Sequence, residues 1–144
     1  MNMQRILSHR PFRWLAGGVA MVTLLSMGGA VYADVQTPIN NTVVVQGTSG
    51  GSQSSSCGFI SGSPSQVVRV TEPFAALRFR VEGGDSTTLL IQGPDGRNQC
   101  VMADSLAGGV IEVTGVWDQG RYTLFVGEQN QARTNPYTLS VVQE

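Results

Sequence analysis

The chain has 144 residues, of which 41% are hydrophobic, with ten acidic residues, nine basic residues and a formal net charge of −1. All nine basic residues are arginines, and the only histidine is His9. A chain of this length makes one domain. Without lysine clusters it is a poor candidate for nucleic-acid binding, because phosphate neutralisation supplies most of that affinity. It also lacks the polybasic patch that holds a protein on an anionic membrane.

The N-terminus has the three parts of a cleaved export signal. Residues 1–13 carry three arginines and no acid, residues 14–31 are apolar or small, and a small-x-small triplet ends at Ala33. This order predicts a signal peptide over residues 1–33, with cleavage after Ala33. The absence of an Arg-Arg pair argues against the twin-arginine route. The alternative is an uncleaved anchor, although four glycines weaken the apolar stretch as a spanning helix.

Cleavage would change the chemistry of the chain. Residues 34–144 keep all ten acids but only six of the nine arginines, for a net charge of −4, and they contain no histidine and no lysine. They therefore lack the residues for a Ser-His-Asp or Cys-His catalytic unit, for a histidine zinc site and for a lysine Schiff base. The sequence also has no G-x-x-x-x-G-K phosphate loop. We predict that the exported protein is not an enzyme.

Residues 34–56 precede the predicted domain. Residues 42–46 are rich in β-branched side chains, which predicts a first strand or an edge strand that pairs only in a complex. Residues 47–56 (GTSGGSQSSS) are uncharged and rich in Gly and Ser, which predicts a flexible linker. We therefore expect a flexible N-terminal segment over residues 34–56 and a β-sandwich domain over residues 57–144.

From residue 66 onward, short apolar segments are separated by Gly, Pro and Asp turns. Strands are predicted at residues 66–70, 75–81, 87–92, 97–102, 110–113, 121–126 and 137–142. Alternation in three of them indicates a buried face made of Leu77, Phe79 and Val81, of Tyr122, Leu124 and Val126, and of Tyr137, Leu139 and Val141. The pattern predicts an all-β fold after the signal helix, an antiparallel β-sandwich or jelly-roll-like arrangement of six to eight short strands.

Cys57 and Cys100 are the only cysteines. In an oxidising compartment an even pair predicts a disulfide, which would restrict the unfolded chain by about 4 kcal/mol. The alternatives are two reduced, partly buried thiols or a redox pair, but the C-x-x-C spacing that favours redox chemistry is absent.

Three segments resemble a known family. Residues 117–127 (WDQGRYTLFVG) resemble the bacterial pre-peptidase C-terminal domain, which has a Trp, a Pro-Gly-type turn, then a Tyr and alternating apolar residues. Residues 77–81 (LRFRV) are similar to an earlier strand of that family, and residues 137–141 (YTLSV) are similar to its final strand. The resemblance covers residues 66–142 and implies a β-sandwich accessory module, of a kind often attached to secreted proteases.

The chain departs from this family at two places. Gln119 stands where the family usually has Pro, and residues 87–91 (TTLLI) stand where many members have an Asp-Leu-Tyr strand, which argues against transferring acid-dependent metal binding. Because no protease is attached, the resemblance implies a free-standing binding or structural module. The chain is also similar to short secreted proteins of unassigned role in photosynthetic bacteria.

Acidic side chains are the remaining candidates for chemistry. Paired carboxylates hydrolyse glycosides, and the candidates are Glu72, Glu82, Asp85, Asp95, Asp104, Glu112, Asp118 and Glu128. Most of them lie beside Gly, Pro or Ser in predicted turns, where Asp bonds nearby backbone amides, so a turn role explains them better. Calcium binding is the other candidate use, at Asp85, Asp104 and Asp118, although no D-x-D-x-D-G run is present.

Trp117 and Tyr122, together with Arg78 and Arg80, are the candidate ligand-binding residues. An exposed tryptophan stacks on a sugar ring or anchors a protein partner. The alternative is a half-buried Trp117 that packs against Tyr122 or Tyr137. The two arginines form a small cationic strip that suits an acidic partner, or they are ordinary charges on a solvated strand face. The aromatic residues predicted to lie in the core are Phe59, Phe74, Phe79 and Phe125.

These observations predict a non-catalytic, periplasmic or secreted module that binds a protein partner, a glycan or an envelope surface. The thylakoid lumen is a further candidate compartment. One alternative is an assembly subunit that donates residues 42–46 as a strand to a neighbour. Another is a small carboxylate-dependent hydrolase. No cofactor is expected apart from the calcium considered above, and we expect neither nucleic-acid binding nor a stable membrane anchor after cleavage.

Overall fold

Two β-sheets pack face to face in the computed structural model, which describes residues 34–144. The strands are β1 (Val35–Gln36), β2 (Val43–Thr48), β3 (Gln53–Ser55), β4 (Gly58–Ile60), β5 (Gln66–Val70), β6 (Ala75–Glu82), β7 (Thr87–Gln92), β8 (Asn98–Met102), β9 (Val110–Trp117), β10 (Gly120–Glu128) and β11 (Pro136–Gln143). The predicted all-β sandwich is confirmed. The strands outnumber the six to eight expected because β1, β3 and β4 are too short to show an alternation.

Helical structure is almost absent from the described part of the chain. A single 3-10 turn, Ser105–Ala107, is the one helical element among residues 34–144. Within the same residues, no helix has the length and apolarity that a membrane crossing requires. The predicted signal peptide over residues 1–33 lies outside the described residues.

The smaller sheet has the order β2-β11-β6-β9 and is antiparallel throughout. β6 pairs with the edge strand β9 along its whole length, from Ala75 opposite Trp117 to Glu82 opposite Val110. Its alternate residues face the core, so that Leu77, Phe79 and Val81 are fully buried. This confirms the buried face predicted for β6.

The larger sheet is arranged around β10. One side of β10 pairs with β7, which in turn pairs with the edge strand β8. The other side is divided between β5 and β4, with β1 parallel to β5 and β3 antiparallel to β4. The inward residues Tyr122, Leu124 and Val126 of β10 pack in one core with side chains of the smaller sheet and are buried, as predicted.

The inward faces of the two sheets form the main core. Alternation along each strand brings an apolar side chain inward at every second residue. The members of this core are Val68, Val70, Ala75, Leu77, Phe79, Val81, Leu89, Ile91, Ile111, Val113, Tyr122, Leu124, Val126, Tyr137, Leu139 and Val141. The buried face predicted for β11, at Tyr137, Leu139 and Val141, is therefore also confirmed.

A second, smaller cluster joins Cys57 and Ile60 to Leu90, with Phe125 packed against it. Leu90 lies between two core residues of β7, so its side chain points away from the sandwich interior. The predicted disulfide is confirmed: Cys57 is bonded to Cys100, which stands opposite Leu90 in the sheet. The disulfide thus fastens the segment around β4 over the outer face of the larger sheet.

Residues 34–56 are part of the sandwich, which corrects the expected flexible segment and the domain boundary at residue 57. β2 pairs with β11 over six residues, from Val43 opposite Val141 to Thr48 opposite Pro136. The strand considered for donation to a neighbour is therefore paired within its own chain. Ser49, in the Gly/Ser-rich stretch, is buried and donates a hydrogen bond to Glu128. Its hydroxyl has a buried carboxylate as partner, which composition alone does not reveal.

The loops gather at two ends of the sandwich. One end, named the cleft end because a cleft opens between its loops, carries loops 71–74, 93–97 and 118–119. The other, named the Glu128 end after the last residue of β10, carries loops 83–86, 103–109 and 129–135. The eight residues of β6 span the distance between the ends, which is roughly 25 Å. This separation decides which loop residues share a site.

Candidate functional site

A cleft of about 220 Å³ opens at the cleft end, between the β7–β8 turn and the β9–β10 turn. Its apolar lining consists of Ile91, Pro94, Val116, Trp117 and Tyr122, and its polar lining includes Asp95, Arg97, Asn98, Gln99 and Asp118. The structure thus brings together Trp117 and Tyr122, two of the four residues predicted to bind a ligand.

Trp117 is held in place from several directions. Its ring centroid lies 5.0 Å from that of Phe79 and 5.1 Å from that of Tyr122, both in edge-to-face arrangements. Its Nε1 donates a hydrogen bond of 3.3 Å to the carbonyl oxygen of Leu77. The predicted packing of a half-buried Trp117 against Tyr122 is therefore confirmed. Because Nε1 already donates to the carbonyl of Leu77, the indole offers a ligand the face of its ring and not a hydrogen-bond donor.

The phenol of Tyr122 is fixed as a neutral group. Burial raises its pKa most strongly, and the negative charge of Asp118 raises it further. Its hydroxyl donates a hydrogen bond of 2.9 Å to the backbone carbonyl of Asp118, which closes the β9–β10 turn. Tyr122 therefore shapes the cleft and does not act as an acid or base near neutral pH.

Charged side chains of both signs stand at this cleft. Asp95, Arg97 and Asp118 are all exposed. Among residues 34–144, Arg97 takes part in no salt bridge, although four of the other arginines do. The sequence interpretation missed Arg97, and the signal available for it was its position at the end of the Gly-Pro-Asp-Gly turn. The guanidinium of Arg97 can therefore bind a carboxylate or carbonyl group of a partner.

Arg78 and Arg80 lie outside this cleft, on the outer face of β6. Arg80 bonds Glu82 at 2.8 Å and Glu112 at 3.1 Å, and Arg78 bonds Glu144 at 3.2 Å. The hydrogen bonds to Glu82 and Glu112 raise the pKa of Arg80. The predicted cationic strip is therefore neutralised by carboxylates of the same face, and the structure separates it from Trp117 and Tyr122.

The three aspartates considered for calcium do not share a site. Asp85 and Asp104 lie in loops at the Glu128 end, whereas Asp118 lies in the β9–β10 turn at the cleft end. The side chain of Asp104 accepts a hydrogen bond of 2.8 Å from the backbone amide of Leu106 and caps the 3-10 turn. Residues 34–144 contain no group of three acidic, His or Cys side chains arranged to hold a metal ion. The structure therefore does not bring together the three aspartates considered for calcium binding.

Glu128 is the titratable residue whose surroundings the sequence did not reveal. It is fully buried at the end of β10. Its carboxylate accepts hydrogen bonds from Ser49 and Ser86, each 2.5 Å, from Asn135 at 2.8 Å and from Thr87 at 3.2 Å. Burial raises its pKa, but these four hydrogen bonds lower it more, so the pKa lies below its ordinary value. The four donors come from three separate segments, which leaves no local signal in the sequence.

The prediction that Phe74 lies in the core is wrong. Phe74 is 73% exposed, whereas Phe79 is fully buried. Phe59 and Phe125 are partly buried. Phe74 occupies the last position of the β5–β6 loop at the cleft end, directly before Ala75, whose partner in β9 is Trp117. The cleft end therefore carries an exposed aromatic side chain, directly before the residue that pairs with Trp117.

Comparisons with known proteins identify a sequence relative and solved structures to which this chain is similar. An uncharacterised protein of Synechococcus elongatus (strain ATCC 33912 / PCC 7942 / FACHB-805) is 32% identical over 136 residues, which cover 92% of this chain and 97% of the relative. This confirms the predicted similarity to a protein of unassigned role in a photosynthetic bacterium. No family model matches the chain, so the resemblance to the pre-peptidase C-terminal domain stays a prediction.

One of the similar solved structures is that of PliG of Aeromonas hydrophila, a periplasmic lysozyme inhibitor of g-type lysozyme. The two chains are 12% identical, with a TM-score of 0.45 over 78% of this chain and 97% of the inhibitor.

Proposed function

The chain belongs to the same family as the Synechococcus elongatus protein, and we propose that it is a non-catalytic, exported β-sandwich module that binds another protein through the cleft beside Trp117 and Tyr122. The observation that carries this proposal is the cleft itself. It combines aromatic side chains held by the core with an unpaired arginine and two exposed carboxylates.

Export is supported by the predicted signal peptide and by the disulfide between Cys57 and Cys100. Disulfides persist in oxidising compartments and are rare in a reducing cytoplasm. The proposed location is therefore the periplasm, the outer surface or the medium, with the thylakoid lumen as a further candidate in a photosynthetic cell.

The absence of catalysis is supported by the composition and by the cleft. Residues 34–144 contain no histidine and no lysine. Asp95 and Asp118 both line the cleft, but both are exposed. A glycosidase needs one carboxyl group whose surroundings keep it protonated, commonly by burial against apolar side chains. Neither carboxylate has such surroundings, which disfavours the hydrolase alternative.

A protein partner is favoured over a small molecule by the size of the cleft. Its volume of about 220 Å³ is below the roughly 300–1,000 Å³ of pockets that enclose small ligands. A cleft of this size holds one side chain of a partner or one sugar ring. The mixed charge at its mouth suits the polar rim of a protein interface. Binding of a glycan is the second outcome that an experiment must separate.

Site-directed photocrosslinking in the native cell envelope tests the proposal. A photoreactive phenylalanine analogue replaces Gln99, an exposed residue of the cleft. The matched control carries the analogue at Leu106, which is 94% exposed at the opposite end of the sandwich. We expect an adduct from position 99 that yields peptides of a second protein in mass spectrometry and that is absent from position 106.

The charge at the cleft provides a second arm. Arg97→Glu reverses the charge of the unpaired arginine, and Arg133→Glu makes the same change in the exposed β10–β11 loop. We expect Arg97→Glu to lower the yield of the position 99 adduct at least tenfold and Arg133→Glu to leave it unchanged. An adduct that carries sugar but no peptides of a second protein would point to a glycan, and equal adducts at positions 99 and 106 would reject the cleft as the binding surface.

A further inference from the structure

Phe74 has an unusual backbone conformation for its residue type. Its φ is 64°, and it is the only residue other than glycine with a positive φ among residues 34–144. Pro73 precedes it in a turn. Turns with Pro in the first central position and a positive φ in the second normally place Gly or Asn in the second. A bulky aromatic residue there carries backbone strain that glycine would avoid.

The fold gains little from the Phe74 ring. The side chain is 73% exposed, and it belongs to neither apolar cluster of the protein. The residue therefore combines a strained backbone with an aromatic ring in water. Strained residues that the surrounding structure holds in place cluster at binding and catalytic sites. The two features together indicate that the ring serves a contact outside the chain.

The position of Phe74 links it to the cleft. It directly precedes Ala75, which pairs with Trp117, and the next pair joins Ala76 to Val116. Val116 lines the cleft and is 66% exposed. Two large apolar side chains thus stand exposed at the cleft end: Phe74, directly before β6, and Val116 on the neighbouring strand β9, which lines the cleft together with Arg97.

We propose that Phe74 is the anchor by which this protein binds its partner, and that the partner is a different protein with a concave apolar pocket that receives the ring. This rests on the proposed function of the cleft and names the contact that dominates it. A protruding aromatic residue surrounded by polar groups of both signs has the composition of a binding hot spot, in which one buried aromatic side chain supplies most of the affinity.

The shape and charge of this end determine the class of partner. A single exposed ring binds a bilayer only weakly unless basic residues beside it add attraction to anionic lipids. The charged side chains of the three loops at this end are Glu72, Asp95, Arg97 and Asp118, in which acids are in excess. This excess also gives no net attraction for an anionic polymer. The ring and Val116 also extend the apolar surface beyond what one sugar in the cleft would cover. A folded protein is the partner that uses the cleft and the anchor together.

Thermal unfolding of the purified chain tests the strain. Phe74→Gly removes both the ring and the strain, whereas Phe74→Ala removes the ring and keeps the strained conformation. We expect Phe74→Gly to raise Tm by roughly 2 to 5 °C, and Phe74→Ala to leave it unchanged or slightly lower. If both variants lower Tm by more than that range, the ring stabilises the fold and the inference is wrong.

Photocrosslinking in the native cell envelope tests the contact. The full-length chain is expressed with the photoreactive phenylalanine analogue at position 74, and the control carries it at position 106, at the far end. The captured protein is identified by mass spectrometry and purified. Its Kd is then measured for the wild type, for Phe74→Gly and for Phe74→Leu. We expect Phe74→Gly to weaken binding at least tenfold and Phe74→Leu, which keeps an apolar side chain, to weaken it less.

The outcomes separate this inference from the proposed function. An adduct from position 99 without one from position 74, or an unchanged Kd for Phe74→Gly, rejects the anchor and leaves the cleft as a binding surface. A protein adduct at neither position rejects both. An adduct that contains only a second copy of this chain, or one that carries no peptides of another protein, also rejects the anchor, because the ring then contacts something other than a different protein.

Discussion

Glu128 is a charged residue inside the sandwich that is held by neutral donors. Within residues 34–144 it takes part in no salt bridge, and its carboxylate is bonded instead by Ser49, Ser86, Thr87 and Asn135. A buried charge without such partners would be strongly destabilising. The hydrogen bonds therefore decide both the charge state of Glu128 and the position of three loops at its end of the molecule.

Glu128 makes the stability of the protein dependent on pH. Since the folded pKa lies below the ordinary carboxyl value of 4.5, the stabilisation is fully present above that value and is lost as the pH falls through the folded pKa. Glu128→Gln removes the charge, and we expect it to lower the free energy of unfolding by about 1–3 kcal/mol at pH 7. The measurement is urea denaturation of both proteins from pH 7 to pH 3.

The pH profile distinguishes the charge from the shape of the side chain. The difference between wild type and Glu128→Gln should shrink as the pH falls below about 4.5, because the carboxyl of the unfolded wild type binds a proton there and the folded carboxyl does so only at a lower pH. A difference that stays constant down to pH 3 would contradict the assigned charge state of Glu128.

Ser49 provides a test of the Gly/Ser-rich stretch. Its hydroxyl donates a hydrogen bond to Glu128 and accepts one from the backbone amide of Asn135. Ser49→Ala removes one of the four donors to the buried carboxylate and the acceptor of this amide, so we expect a loss of about 1–2 kcal/mol in the free energy of unfolding. Ser52→Ala, at an exposed position of the same stretch, is the control and should change stability by less than about 0.5 kcal/mol. Equal effects in the two variants would restore the interpretation of this stretch as a linker.

At the scale of the element, period-two alternation was the reliable signal. β5, β6, β7, β10 and β11 lie within one or two residues of their predicted bounds, because the side-chain period is a local property of the sequence. β9 runs to Trp117, beyond the predicted end at residue 113. Thr114 and Gly115 interrupt its apolar pattern, but pairing with β6 continues past them. The two-residue strand β1 pairs with β5, which is distant in the chain, and β3 pairs with the next strand, β4, but has only three residues. Neither strand is long enough to give a local signal.

The disulfide is the element-scale feature that joins the β4 region to β8. Cys57 and Cys100 are 43 residues apart in sequence. Closing a loop of this length restricts the unfolded chain by about 4 kcal/mol. We expect the double variant Cys57→Ala with Cys100→Ala to lower Tm by roughly 15 °C, measured by circular dichroism. Reductant should lower the Tm of the wild type similarly and leave that of the double variant unchanged; a wild type insensitive to complete reduction would contradict this.

At the scale of the whole molecule, the arrangement of loops at two ends decides which residues act together. Asp118 is separated from Asp85 and Asp104 by the length of β6, roughly 25 Å. A calcium ion contacts its ligands at about 2.3–2.6 Å, so one ion does not bridge these side chains. The same arrangement places Arg97, in the β7–β8 turn, and Trp117, at the end of β9, in the lining of one cleft.

This separation predicts the response to calcium. We expect 5 mM calcium, a concentration of the order used for weak extracellular sites, to leave Tm within about 1 °C of its value in EDTA. Differential scanning calorimetry provides the measurement, with magnesium as the control for ionic strength. A rise of several degrees with calcium alone would show that the loops bind the ion with ligands other than the predicted set.

The sequence alone determined the properties that depend on a local side-chain period or on the number of cysteines. The all-β class, the inward faces of β6, β10 and β11, and the pairing of Cys57 with Cys100 follow from a local period or from a count of two cysteines. The tertiary structure alone decided the role of Ser49, the burial of Glu128, the exposure of Phe74 and the separation of Arg80 from Trp117. Each of these depends on which distant segments meet, and the contacts between the sheets and their loops determine that.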